Sequence, residues 1–140
     1  MDKALIDNYI STDYMIDDEL GLWLININQH DRALSRYLHM QAKPTAAFIT
    51  AYNPMSKPTS EKVNKRAHQQ LQHQLTKQGF KFLHGYGQSQ DNKWPAEQSV
   101  LVLAIDKSQA NEIAKQYNQA AYVWIDDTGL PSLVLKDDYC

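Results

Sequence analysis

Cysteine is almost missing from this chain: Cys140 is the only one among 140 residues. A lone thiol closes no internal disulfide, which rules out a disulfide-stapled scaffold and fits a reducing compartment. Basic excess is missing too. The formal net charge is −2 and the pI is about 6.2, which argues against a partner held by many phosphate contacts, so no nucleic acid is expected. No apolar run approaches the roughly 20 residues that span a bilayer. The N-terminus lacks a basic-then-apolar leader pattern, because Asp2, Asp7 and Asp13 interrupt it. A cytoplasmic location with no membrane association is the expectation. There is no internal repeat and no low-complexity tract. The five histidines, His30, His39, His68, His73 and His84, stand at no metal-ligand spacing with another ligand type, so no metal is expected. Gly85-Tyr86-Gly87-Gln88 lacks the spacing of a phosphate-binding loop. No nucleophile-elbow motif supports a Ser-His-Asp triad.

What is present is a globular composition, 43% apolar and 21% charged, long enough for one domain with a real core. The chain is organised around Ala46 to Tyr52, an apolar run broken only by Thr50 that ends abruptly at Asn53-Pro54. Such a run reads as a strand covered on both faces, and Pro54 stops it. Before it, Asp2 caps a short helix in which Ala4, Leu5, Asn8 and Tyr9 share a face. Ser11 to Asp18 reads as a turn-rich connector and Leu20 to Ile27 as a strand. A second helix follows from Asn28 or Asp31, with Ala33, Leu34, Tyr37 and Leu38 facing the core and Lys43-Pro44 ending it.

After the central run, Pro58, Thr59 and Ser60 introduce a helix from about Glu61 to Gln78, with Gly79 in the position after its end. Phe80 to His84 alternates as a half-exposed strand. His84 to Gln98 reads as a long polar loop. Val100 to Ile105 is the most continuous apolar run, hence a second central strand. Asp106 or Ser108 caps a helix bearing Ala110, Ile113, Ala114 and Tyr117 on one face. Ala121 to Ile125 is a strand, Asp126-Asp127-Thr128-Gly129 a hairpin turn, and Ser132 to Leu135 a short edge strand. Both the Asp126-Asp127 turn and the tail at Asp137-Asp138 read as solvated charge.

The order from residue 46 onward is β-α-β-β-α-β. The expected class is therefore α+β, with a ferredoxin-like core over residues 46–136, an N-terminal helix/strand/helix extension over 1–45 and a C-terminal edge strand, all in a single domain over 1–140. In that order the strands at 46–52 and 99–105 are adjacent, antiparallel and central. The extension then covers the other face of the sheet or lengthens one edge.

Placing the helix after Ser60 at about 100° per residue sets Val63, Ala67, Leu71 and Leu75 on an arc of about 120°. Asn64 falls inside that arc and His68 at its edge, so Asn64 points inward beside the Asn53-Pro54 turn. Two readings stand side by side. In one, Asn64 ties the loop down by hydrogen bonds, as buried amides usually must. In the other, Asn53, Ser56 and Asn64, with the amides of the helix N-terminus, form a polar pocket for an anionic or amide-bearing ligand. A second cluster collects His84, Gly85, Gly87, Trp94, Glu97 and Ser99. Glu97 and Ser99 are two apart on the approach to a strand and share a face, where they either bind a ligand or, through a Glu97–Arg66 ion pair, anchor the loop.

The string Ala47-Phe48-Ile49-Thr50-Ala51-Tyr52-Asn53-Pro54, the following Ser60 and Asn64, the Gly85-x-Gly87 pair, and Trp94-x-x-Glu97-x-Ser99 running into Leu101-Val102 resemble the bacterial family called domain of unknown function 3293. Tyr52 stands where that family commonly has Trp, and Tyr117-Asn118-Gln119 fills the place of its late Phe-x-Gln. The resemblance runs from about Ile10 to Leu135. It implies Gln119 as a further site residue and brings no assigned activity, substrate or cofactor.

The sequence therefore supports two functions. One is a domain binding a small polar or nucleotide-like ligand, with catalysis left open, through Asn53, Ser56, Asn64, Arg66, Trp94, Glu97, Ser99 and Gln119. The other is a protein-interaction module, an immunity or inhibitor protein, in which those residues only fix loops. RNA binding on the sheet fits poorly, since Val100 to Ile105 offers no aromatic stacking residue.

Overall fold

The computed structural model describes residues 2–18, 21–91 and 94–139. Its elements run α1 (Lys3–Ser11), β1 (Asp13–Asp18), β2 (Gly21–Ile25), α2 (Arg32–His39), β3 (Ala46–Thr50), α3 (Glu61–Lys77), β4 (Phe82–Gln88), β5 (Glu97–Leu103), α4 (Lys107–Gln116), β6 (Ala121–Ile125) and β7 (Pro131–Leu135). The seven strands form one curled antiparallel sheet, a half-barrel in the order β2-β1-β4-β5-β3-β6-β7. The two apolar runs of the sequence are its neighbouring central strands: β3 pairs antiparallel with β5, with Phe48 opposite Leu101 and Thr50 opposite Ser99. β7 is an edge strand, as expected. No described helix is long and apolar enough to cross a membrane.

Two apolar layers explain why β3 and β5 carry no polar side. On one face Ala47, Ile49, Val100 and Val102 pack against Leu71 and Leu75 of α3 and Ala110, Ile113 and Ala114 of α4. On the other, Phe48, Leu101, Leu103 and Val123 meet Leu34 and Leu38 of α2 and Tyr14, Ile16 and Ile25 of the β1–β2 pair. Helix starts follow side-chain capping. Asp2, Asp31, Ser60 and Asp106 each accept from a backbone amide in the first turn, and Gln109 completes a capping box with Asp106.

Several expectations are corrected. Ser11 to Asp18 is not a connector but, from Asp13, the strand β1. Its buried Tyr14 and Ile16 alternate with Asp13, Met15 and Asp17, so the acids mark the outer side of a half-exposed strand rather than turns. The N-terminal extension is accordingly helix, strand, strand, helix; it both lengthens the sheet beyond β4 and covers its second face. The expected strand start at Leu20 lies outside the described residues. α2 ends at His39, before Lys43-Pro44, and leaves Ala33 exposed. The loop expected from His84 is shorter: β4 runs to Gln88 and β5 begins at Glu97. Gly85 lies inside β4 because a Cβ there would collide with the Met15 carbonyl oxygen of β1 and approach the Phe48 ring to 3.0 Å. On α3, Val63 is 52% exposed while Asn64 and His68 are buried with Leu71 and Leu75. The inward face is thus half polar. Asp126 is not merely solvated: its carboxylate accepts from Thr128 N, Thr128 Oγ1 and Leu130 N, closing the β6–β7 turn.

Candidate functional site

The site forms where β3 ends. Asn53 takes a left-handed backbone (φ 47°), and Met55 (φ 56°), Ser56 (φ 59°) and Asn118 (φ 52°) do the same. Such conformations cost free energy outside glycine and concentrate where the surrounding structure holds them for a purpose. The two loops involved touch, Met55 N donating to the Asn118 carbonyl at 2.7 Å.

Asn64 holds the turn in place. Its Oδ1 accepts from Asn53 N at 2.9 Å, and its Nδ2 donates to Asn53 Oδ1 at 2.9 Å and to the Thr59 carbonyl at 3.3 Å. Asn53 Oδ1 also accepts from Thr59 N at 3.0 Å. With every other polar atom engaged, the Asn53 amide nitrogen points across to β5 and donates to Glu97 Oε2 at 2.6 Å. The two sequence clusters therefore meet in one place. Ser99, buried beside them, donates from Oγ to the Glu97 carbonyl at 3.0 Å. Thr50 Oγ1 donates to the Gln98 carbonyl at 2.7 Å. Gln119 is buried and donates from Nε2 to the carbonyls of Tyr52 (3.1 Å) and Tyr117 (3.3 Å).

Beside this network lies a partly enclosed cavity of about 110 Å³. Its floor is sheet: Tyr14, Phe48, Thr50, Gly87, Glu97 and Ser99. Tyr52, Asn53 and Ser56 form one wall, Gln119 and Tyr122 another, and Trp94 and Pro95 of the β4–β5 loop stand at the rim, Trp94 being half exposed. Leu5, Asn8 and Tyr9 of α1 close the last side. That helix is held by a hydrogen bond between Tyr9 Oη and Ser56 Oγ (2.7 Å) and by Tyr14 Oη donating to the Tyr9 carbonyl at 2.6 Å.

Among the described residues Glu97 is the only carboxylate of the lining, and no Lys, Arg or His shares it. Burial pushes its carboxyl above the ordinary carboxylate range, and the Asn53 hydrogen bond only partly opposes that shift. The same burial raises the phenols of Tyr9, Tyr14 and Tyr52, with the Glu97 charge adding to each, so all three stay protonated at neutral pH.

Of the residues singled out from sequence, Asn53, Ser56, Trp94, Glu97, Ser99 and Gln119 line the cavity, and Asn64 sits directly behind them. Arg66 does not join them. It is exposed on α3 and makes no ion pair among the described residues; the partner of Glu97 is the neutral Asn53 amide. The α3 N-terminal amides do not line the cavity either, Val63 N being taken by Ser60 Oγ and Asn64 N by the Ser60 carbonyl. Among the described residues no group of three or more His, Cys, Asp or Glu side chains could hold a metal ion. Sequence reasoning missed the α1 and β1 contributors, Tyr9 and Tyr14. The shared face of Leu5, Asn8 and Tyr9 was the available signal.

No curated protein and no solved structure matches the chain significantly. A family model described as protein of unknown function (DUF3293) matches residues 49–122. That stretch runs from β3 to the second residue of β6, holds every sequence-predicted site residue and amounts to just over half of the chain; the chain belongs to this family.

Proposed function

We propose that this protein binds a small polar ligand in the cavity bounded by Asn53–Ser56, Glu97, Gln119 and the face of α1. One observation carries the reading: strands, loops and a helix far apart in sequence converge on a cavity that keeps a partly buried carboxylate whose one hydrogen-bond partner among the described residues is the neutral Asn53 amide. Groups of that kind, costly for stability, concentrate at functional sites. At about 110 Å³ the cavity is small against the roughly 300–1,000 Å³ of drug-sized sites, which favours a one-ring compound or the base end of a nucleotide-like ligand over a whole dinucleotide.

The same reading takes the chain as one cytoplasmic domain, in which β3-α3-β4-β5-α4-β6 is a ferredoxin-like core with the extension over 1–45 packed on it. Supporting this are the strand order β4-β5-β3-β6 and the single face shared by α3 and α4. The lone cysteine favours a reducing compartment.

A thermal-shift screen of common metabolites tests the ligand reading, since a compound that binds only the folded chain raises its apparent stability. The expected result is a raised unfolding midpoint with at least one polar compound, lost in Ala121→Leu, which fills the cavity. No stabilising compound, or an equal shift in Ala121→Leu, would leave the protein-interaction reading as the better one.

A further inference from the structure

Resting on the ligand-site reading, we infer that the cavity takes a compound bearing a cationic nitrogen, an amine, amidine or protonated aminoheterocycle on a flat apolar body, with the Glu97 carboxylate as its counter-ion.

The donors and acceptors of the lining are unequally spent. Asn53 Nδ2, Thr50 Oγ1, Ser99 Oγ, Gln119 Nε2 and Tyr14 Oη all donate to protein acceptors already. An anionic ligand would have to break those bonds or turn to the Asn8, Ser89 and Trp94 donors of the lining, and in either case it would meet the like charge of Glu97. Glu97, by contrast, uses only Oε2, and its Oε1 accepts from no described protein group. A carboxylate in that state lowers its free energy most by pairing with a donor that carries positive charge. No described cation of the protein competes for it: the ion pairs among the described residues are Lys43–Asp106 and Lys65–Glu61, both away from the cavity.

The walls fit the same class. Tyr9, Tyr14, Phe48, Tyr52 and Trp94 line the same cavity as the carboxylate. Ring faces attract cations, most strongly when water is excluded. The phenols facing Glu97 are those of Tyr9 on α1, Tyr14 on β1 and Tyr52 after β3, each held neutral by burial. The negative charge facing the ligand is then that of Glu97 alone among the described groups.

Three probes of one shape and different charge test the inference: benzamidine, benzamide and benzoate, titrated into the full chain while backbone amide resonances are followed. Benzamidine is expected to perturb Asn53, Glu97 and Gln119 and to bind at least about tenfold more tightly than the other two. In Glu97→Gln, which keeps an acceptor for Asn53, its affinity should fall by about tenfold or more while that of benzamide stays within about twofold. Benzamide or benzoate binding there as tightly as benzamidine would overturn the cationic class and leave the ligand site standing. So would benzamidine binding that survives Glu97→Gln. No perturbation by any of the three overturns the inference, and the ligand site itself is then judged by the metabolite screen. If Glu97→Gln fails to fold, the wild-type pH profile replaces it. Benzamidine stays charged throughout, so its affinity must fall on acidification as Glu97 takes up a proton, and an affinity flat through that range overturns the inference.

Discussion

At the scale of single residues, the site turns on Asn53, Asn64 and Glu97, whose side chains form one hydrogen-bonded chain from α3 to β5. Asn64 was placed inward by helical phase alone, and its amide bonds Asn53 N, Asn53 Oδ1 and the Thr59 carbonyl. Asn64→Ala leaves those groups unpaired in a buried place and is expected to cost about 1–3 kcal/mol by chemical denaturation; a loss below about 0.5 kcal/mol would mean the loop holds itself. Glu97 was found by its two-residue spacing from Ser99, but its partner was misjudged. Residue charge suggested Arg66, whereas the fold places the neutral Asn53 amide 2.6 Å away. The consequence for stability has a definite sign. Burial raises the folded-state carboxyl above its unfolded value, so the folded chain binds the proton more tightly. Stability therefore falls as pH rises from the ordinary Glu range through that raised value. Glu97→Gln is expected to be more stable than wild type near neutral pH, with the advantage vanishing in acid below the ordinary Glu range. An equal or lower stability at neutral pH would show that the carboxylate is adequately solvated.

At the scale of elements, β3 and β5 were readable because both their faces are covered, which leaves an unbroken apolar run as the signature. The elements that were misread are those where site and sheet geometry override local pattern. β1 looked like turns because acids fill its outward positions. On α3 the helical phase correctly sets Asn64 inside the inward arc and His68 at its edge; only Val63 departs from it, being 52% exposed, while the inward position beside the Asn53 turn is filled by the Asn64 amide that bonds it. The glycines of β4 looked like a loop, although they mark close strand approach. They are also unequal, which allows a test. A Cβ on Gly85 would strike the Met15 carbonyl oxygen, whereas one on Gly87 would meet only Thr12 and Tyr14 side-chain atoms at 3.7 Å and beyond. Gly85→Ala is expected to cost about 1–3 kcal/mol through displaced strands, and Gly87→Ala to change stability by no more than about 0.5 kcal/mol. Equal effects in denaturant unfolding would contradict the β1–β4 packing.

At the scale of the whole molecule, the N-terminal extension makes the difference between a polar loop junction and a partly enclosed cavity. Its strands lengthen the sheet, α2 covers the second face, and α1 supplies a wall of the site while burying no residue of its own. That the extension covers the second face or lengthens an edge follows from the two-sided apolar run of β3, but the docking place of α1 was not legible in sequence. Ala4, Leu5, Asn8 and Tyr9 share a face of α1, but a half-polar face held chiefly by Tyr9 and Tyr14 hydroxyl bonds does not reveal where the helix docks. The loops at Asn53 and Glu97 were legible as neighbours because strand order and antiparallel pairing alone bring them to one end of the sheet. The central claim is that this end holds a carboxylate kept for a cationic ligand. It is tested most directly by following the Glu97 carboxyl carbon through its acid titration by NMR, first in the free protein and then saturated with benzamidine. The expected result is a midpoint above the ordinary carboxylate range in the free protein and a lower midpoint with the cation bound. An ordinary midpoint in the free protein, or one that benzamidine leaves unmoved, would contradict it.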